Sequence, residues 1–67
     1  FIPFTVEGIF TGQNNVAVIN DNGRTSNVKQ GSNYKQFKFK KINDSSVVIA
    51  VDGREITVNL KDGGREF

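Results

Sequence analysis

The chain has 67 residues, a net charge of +2, and neither cysteine nor histidine. That length allows one domain with a small core, and the missing ligands exclude a disulfide framework and an ordinary zinc site. The charge is too small to argue for nucleic acid by itself, and no apolar run is long enough to span a bilayer as a helix.

The chain opens at Phe1-Ile2-Pro3 with no initiator methionine and no signal peptide, so it is expected to be a piece of a longer protein. Residues 1–3 read as an incoming linker, with Pro3 barring a ladder hydrogen bond. Phe4-Thr5-Val6-Glu7-Gly8-Ile9-Phe10 reads as a first strand, with Phe4 and Val6 on one face. Gly8 suggests a bulge or a close backbone approach, and the phase of the strand beyond it is open. Thr11 to Asn15 is a loop by composition. Val16 to Asn20 then runs into Asn22-Gly23, a pair that accepts the positive φ values of a type I′ turn, and the chain returns through Arg24 to Val28. That turn pairs Ile19 with Ser26 and Ala17 with Val28 on one face, leaving Val16 and Val18 on the other.

Lys29 to Asn33 is a second polar stretch. Tyr34 to Lys41 reads as a fourth strand, with Phe37 and Phe39 on one side and Lys38 and Lys40 on the other. Strict alternation would place Lys41 inside and Ile42 outside, so the strand is expected to end or bulge there. Asn43-Asp44-Ser45-Ser46 makes the next turn. Two β-rich runs, from Val47 and to Leu60, then flank Asp52-Gly53, the second type I′ signal. This register sets Val51 opposite Arg54, Ile49 opposite Ile56 and Val47 opposite Val58. Ile49, Ile56 and Val58 are therefore expected to be buried together, with Glu55, Thr57 and Asn59 facing away. A slip of one residue would bury Glu55 and expose Ile56, so pattern and turn agree. Residues 61–67 have no period and read as a frayed end.

Six short strands and no helical period give an all-β fold: a small sandwich or barrel of two three-stranded antiparallel sheets, a single domain over residues 4–60. Its six phenylalanines are the expected filling of the core. With no histidine for acid–base work and no cysteine nucleophile, an enzyme is not indicated. Asp21 and Asp52 are explained as turn residues, and no glycine precedes a helix as a phosphate loop requires. Lys35, Lys38, Lys40 and Lys41, interleaved with Tyr34, Phe37 and Phe39, invite a reading as a barrel that binds single-stranded nucleic acid. The alternation opposes it by sending Phe37 and Phe39 away from Lys38 and Lys40. A third reading needs no pocket: an open sheet edge, most readily the first strand, can accept another protein.

The order of motifs resembles a known family. Gly8-Ile9-Phe10, Ala17-Val18-Ile19, Asn22-Gly23-Arg24, Val28-Lys29-Gln30-Gly31, Phe39 with Ile42, Val47-Val48-Ile49, Gly53-Arg54 and Thr57-Val58-Asn59-Leu60 are similar to the homology region of protein C of the type II secretion system. The related pilus-assembly lipoprotein of type IV pili shares the pattern. The chain departs from it at Ser32, where the family commonly has aspartate, at Asn33-Tyr34-Lys35, and in the bulk of Phe37 and Phe39. The resemblance implies a non-catalytic periplasmic domain of an inner-membrane-anchored protein of a Gram-negative bacterium, needing no cofactor. Its implied partner is the N-terminal periplasmic domain of the outer-membrane secretin. Other inner-membrane secretion components would be met through parts of the parent protein outside this chain. Carried over by motif, the implied contact residues are Val6, Glu7, Gly8, Ile9 and Phe10, with Asn22, Gly23 and Arg24 as a weaker neighbour. The alternative readings are the nucleic-acid barrel and a structural module of a phage or cell-surface assembly.

Overall fold

A computed structural model describes residues 2–60. Seven strands follow one another: β1 (Thr5–Phe10), β2 (Val16–Asp21), β3 (Arg24–Lys29), β4 (Asn33–Tyr34), β5 (Phe37–Ile42), β6 (Ser46–Val51) and β7 (Arg54–Asn59). They form a three-stranded sheet in the order β1-β2-β3, called sheet A here, and a four-stranded sheet β4-β5-β6-β7, sheet B. Every ladder is antiparallel. The fold is therefore the expected all-β sandwich, with one strand more than the sequence suggested. Residue 1 and the frayed end expected over 61–67 lie outside the described residues.

Both hairpin turns are where the dipeptides place them. Asn22 and Gly23 have φ of 58° and 90°, and Asp52 and Gly53 have 51° and 75°, the pair of positive angles a type I′ turn requires. The registers follow: Asp21 pairs with Arg24 and Ile19 with Ser26, and Val51 pairs with Arg54 and Ile49 with Ile56.

The expected fourth strand is divided. Lys35 takes a φ of 56° without the help of a glycine, and the chain turns between Tyr34 and Phe37. Asn33–Tyr34 folds back as β4 against the start of β5. Further along β5 the register shifts between Phe39 and Lys41, so that Lys41 pairs with Val48 and Ile42 with Val47. This is the bulge anticipated at Lys41. It turns the lysine out and puts Ile42, 1% exposed, into the core.

Between the sheets lie Phe4, Val6, Ala17, Ile19 and Val28 from one side and Phe37, Phe39, Ile42, Val47 and Ile49 from the other. Phe4 is the hinge of this packing. Its ring stacks on Phe39 at 5.7 Å and meets Phe37 and Tyr34 edge-on at 5.4 and 5.7 Å. Each such aromatic pair adds about 0.5–1.5 kcal/mol beyond simple burial. Ile2 is half-buried against the same cluster, while Pro3 is exposed.

Ile56 and Val58 are only half-buried, which corrects the expectation that they are buried together with Ile49. Local alternation does turn them inward, but burial needs a cover from the opposite sheet. The edge strand β7 meets β1 through a parallel bridge between Val6 and Leu60, far from its Arg54 end. The upper part of its inner face instead borders an open groove of about 390 Å³, lined by Phe37, Val51 and Ile56 with Gln36, Asp52 and Arg54.

Polar clamps tie the sheets at both ends. At the loop end, Asn15 Nδ2 donates to the Ile42 carbonyl (3.0 Å), and the Ile42 amide donates to Gln30 Oε1 (2.9 Å). At the hairpin-turn end, Tyr34 Oη and Lys35 Nζ donate to Asp21 Oδ2 at 2.7 and 2.9 Å. These bonds hold the short β4 against the β2–β3 hairpin.

Candidate functional site

The edge strand β1 departs from regular pairing at one place. Val6 pairs with Ile19 and Gly8 with Val18, so Glu7 is an extra residue in the ladder. Alternation in an unbroken strand would send Phe4, Val6, Gly8 and Phe10 all inward. The bulge reverses the phase after Glu7. Ile9 then faces in and packs against the core, while Phe10 is turned out beside Val16 and stands 64% exposed. It is the large hydrophobic residue left most open to water among the described residues.

Phe10 does not stand alone. The outer face of sheet A carries Phe10 next to Val16 and Gly8 next to Val18, with both valines half-buried. A Cβ placed on Gly8 would sit 3.6 Å from Val18 Cβ, an ordinary contact, so the glycine leaves a shallow notch rather than a tight passage. Toward the free side of β1, Leu60 bridges Val6. Beyond that point, on the side away from β2, no strand among the described residues pairs with Glu7–Phe10. An apolar strip and an open backbone edge thus meet at the Phe10 end of the strand.

The residues singled out from the sequence fall into two groups. Glu7, Gly8, Ile9 and Phe10 lie along this edge, but the Val6 side chain is fully buried and belongs to the core, leaving it at most a backbone role. Asn22, Gly23 and Arg24 are exposed at the opposite end of sheet A. The five residue steps of β2 from Val16 to Asp21 separate the two groups by about 16 Å. There Asn20 Oδ1 accepts from the Gly23 amide (2.8 Å), and Arg24 borders a shallow depression shared with Asp21, Asn22, Tyr34 and Lys35. Hydrogen bonds from Tyr34 and then Lys35 hold the Asp21 carboxyl below its ordinary pKa. The same contacts, through Asp21, raise the Tyr34 phenol and the Lys35 ammonium above theirs. This cluster is a structural tie between sheets.

Val16 and Val18 were placed by the sequence on the face opposite Ala17 and Ile19, yet not joined to Phe10. The signal that joins them is the bulge, and Gly8 pointed to it. The nucleic-acid reading loses its aromatics: Phe37 and Phe39 are 3% and 0% exposed, and Lys38, Lys40 and Lys41 lie on the other face. Tyr34 is half-buried and its hydroxyl is committed to Asp21.

Fold and surface together define a small two-sheet antiparallel β-sandwich with an open, aromatic-tipped edge. No protein-family model matches the chain, and no curated protein matches it in sequence. Among solved structures, the chain is similar to a chain of the crystal structure of the enterotoxigenic Escherichia coli GspC–GspD complex from the type II secretion system. The TM-score is 0.84 at 22% sequence identity, covering 90% of this chain and 95% of that one. At that identity the likeness establishes a shared fold. Among the described residues no helix is long and apolar enough to cross a membrane.

Proposed function

We propose that this chain is a periplasmic interaction domain of an inner-membrane-anchored type II secretion component. In this reading it binds the N-terminal periplasmic domain of the outer-membrane secretin and so couples the two membranes of the export machine. The observation that carries the reading is the fold likeness over nearly the full length of both chains to a protein solved within the GspC–GspD complex. The motif order from Gly8-Ile9-Phe10 to Leu60 supports it independently, because a fold match alone would not demand those turns and apolar pairs in that sequence.

Binding is assigned to the edge of β1 from Glu7 to Phe10, with Val16 and Val18 as its apolar floor. Phe10 is the anchor: an exposed aromatic with half-buried neighbours gains more from desolvation than the polar residues around it. The open backbone of β1 offers hydrogen bonds to a partner strand, and Glu7 sets the charge at its centre. The domain acts by holding, not by chemistry, and uses no cofactor. Asn22 to Arg24, about 16 Å from Phe10 along the sheet, serve as a secondary contact. A domain this small can offer roughly 600–800 Å² to a partner, and with one aromatic anchor the expected affinity is micromolar.

The test is calorimetric titration with a purified secretin N-terminal domain. Phe10→Ser and Glu7→Lys are expected to weaken binding at least about tenfold, with unchanged denaturation midpoints, since both side chains are exposed. Wild-type affinity in both variants would remove β1 from the interface.

A further inference from the structure

The outer face of sheet B collects the excess charge of the protein. Register places Lys38, Ala50 and Glu55 in one row across it and Lys41, Val48 and Thr57 in the next, with Lys40 at the bulge between them. Three lysines face one glutamate, leaving that face at +2, while the other described charged residues, four of each sign, cancel. The middle of the face is shallow. Its central strand, β6, presents only Ser46, Val48 and Ala50 outward, all half-buried.

The shape of this face limits what can cover it. β6 is paired on both sides, so its backbone has nothing left to offer an added strand. Helices and second sheets both cover sheet faces, and the dimensions of this one suit a helix. The flanking strands β5 and β7 are two strand spacings apart, about 9.6 Å, close to the width of a helix at ~10 Å. The face also binds a carboxylate already: Lys40 reaches across β6 to pair with Glu55. Both partners of that pair are largely exposed, so it opens at little cost. Lys38 and Lys41 have no acidic partner within ion-pair distance among the described residues.

We propose that the outer face of sheet B is a second docking surface, for an acidic amphipathic helix of a protein partner. The apolar side of that helix lies on Val48 and Ala50, and its acidic flank pairs with Lys38 and Lys41. Glu55 stands in for the partner's carboxylate and releases Lys40 on docking. The surface lies on the opposite side of the sandwich from Phe10 and does not depend on the secretin reading.

The probe is a capped peptide of about 18 residues, long enough to hold a helix, with leucine at helical spacing and glutamate on its flanks. Titrated into the isotopically labelled chain, it is expected to shift backbone amides of β5, β6 and β7 around Lys38, Lys41, Val48 and Ala50, and to bind more weakly as salt rises. Lys38→Glu combined with Lys41→Glu should weaken binding roughly tenfold or more. Glu55→Gln, which frees Lys40, should tighten it by about two- to fivefold. Unchanged denaturation midpoints in these variants keep a loss of binding readable, and unchanged titration with the secretin domain separates this face from β1. The proposal is overturned if a matched peptide with lysine on its flanks binds as well, or if shifts at millimolar peptide are absent or lie outside this face. It is also overturned if phosphatidylglycerol-containing vesicles or a single-stranded oligonucleotide occupy the face more tightly than the acidic peptide.

Discussion

Replacing Phe4 by alanine would remove the ring around which the two sheets meet. Phe4 is 4% exposed and makes close aromatic contact with Tyr34, Phe37 and Phe39, all on strands of sheet B. Deleting a buried phenylalanine costs about 3–5 kcal/mol through lost transfer energy and the cavity left behind. A chain of this length has a total stability of roughly 3–10 kcal/mol, so the variant is expected to sit at the edge of unfolding. Phe4→Leu keeps most of the volume and should cost less than Phe4→Ala but at least about 1.5 kcal/mol, chiefly the three aromatic pairs. By contrast, Ile56→Ala acts on a half-buried side chain beside an open groove and should cost less than either the Phe4→Ala loss or the range for a core isoleucine, about 2–5 kcal/mol. Urea denaturation measures all three. The single tyrosine, Tyr34, lies 5.7 Å from the Phe4 ring and reports the core directly by fluorescence. A loss under about 1 kcal/mol for Phe4→Ala, with an unchanged denaturant slope, would refute the packing described here.

Alanine at Gly23 or Gly53 should destabilise by about 1–2 kcal/mol each through backbone strain alone, because φ there is 90° and 75° and nothing lies near the new Cβ. Gly8→Ala, with room for the Cβ and no positive φ, should leave the denaturation midpoint nearly unchanged. The cluster at Asp21 predicts two limbs in stability against pH. The folded pKa of Asp21 is depressed, so its contribution is complete above the ordinary 3.8 and is lost as pH falls through the lower folded value. Tyr34 and Lys35 are raised, so theirs are complete below 10.0 and 10.5 and are lost as pH climbs through the higher folded values. Asp21→Asn should flatten both limbs in a series of denaturation midpoints; a profile unchanged by that substitution would show that the cluster does not hold the sheets.

Much of the architecture was readable because local chemistry decides it. Asn22-Gly23 and Asp52-Gly53 fix turn type, turn type fixes register, and alternation then puts Ala17 with Ile19 on one face of sheet A and Val47 with Ile49 on one face of sheet B. The bulge at Lys41 was readable for a similar reason, since regular alternation would have buried a lysine there. Three features were not readable, each for its own reason. β4 is two residues long and follows no alternation, and the turn after it uses Lys35 at a φ that glycine would normally announce. Ile56 faces inward as its position demands, but whether sheet A covers it is set by where β1 crosses β7. At β1 the glycine pointed to an irregularity without giving its phase, and the phase alone decides whether Phe10 fills the core or faces the solvent. The candidate surface rests on that one extra residue, Glu7.

The most direct test of the central assignment is backbone amide mapping of the isotopically labelled chain titrated with a secretin N-terminal domain. The account predicts perturbations running from Glu7 to Phe10 and onto Val16 and Val18, in fast or intermediate exchange as micromolar affinity implies. They should be lost in Phe10→Ser at an unchanged denaturation midpoint. Perturbations confined to the lysine face around Lys38 and Lys41, with Glu7 to Phe10 silent, would contradict it.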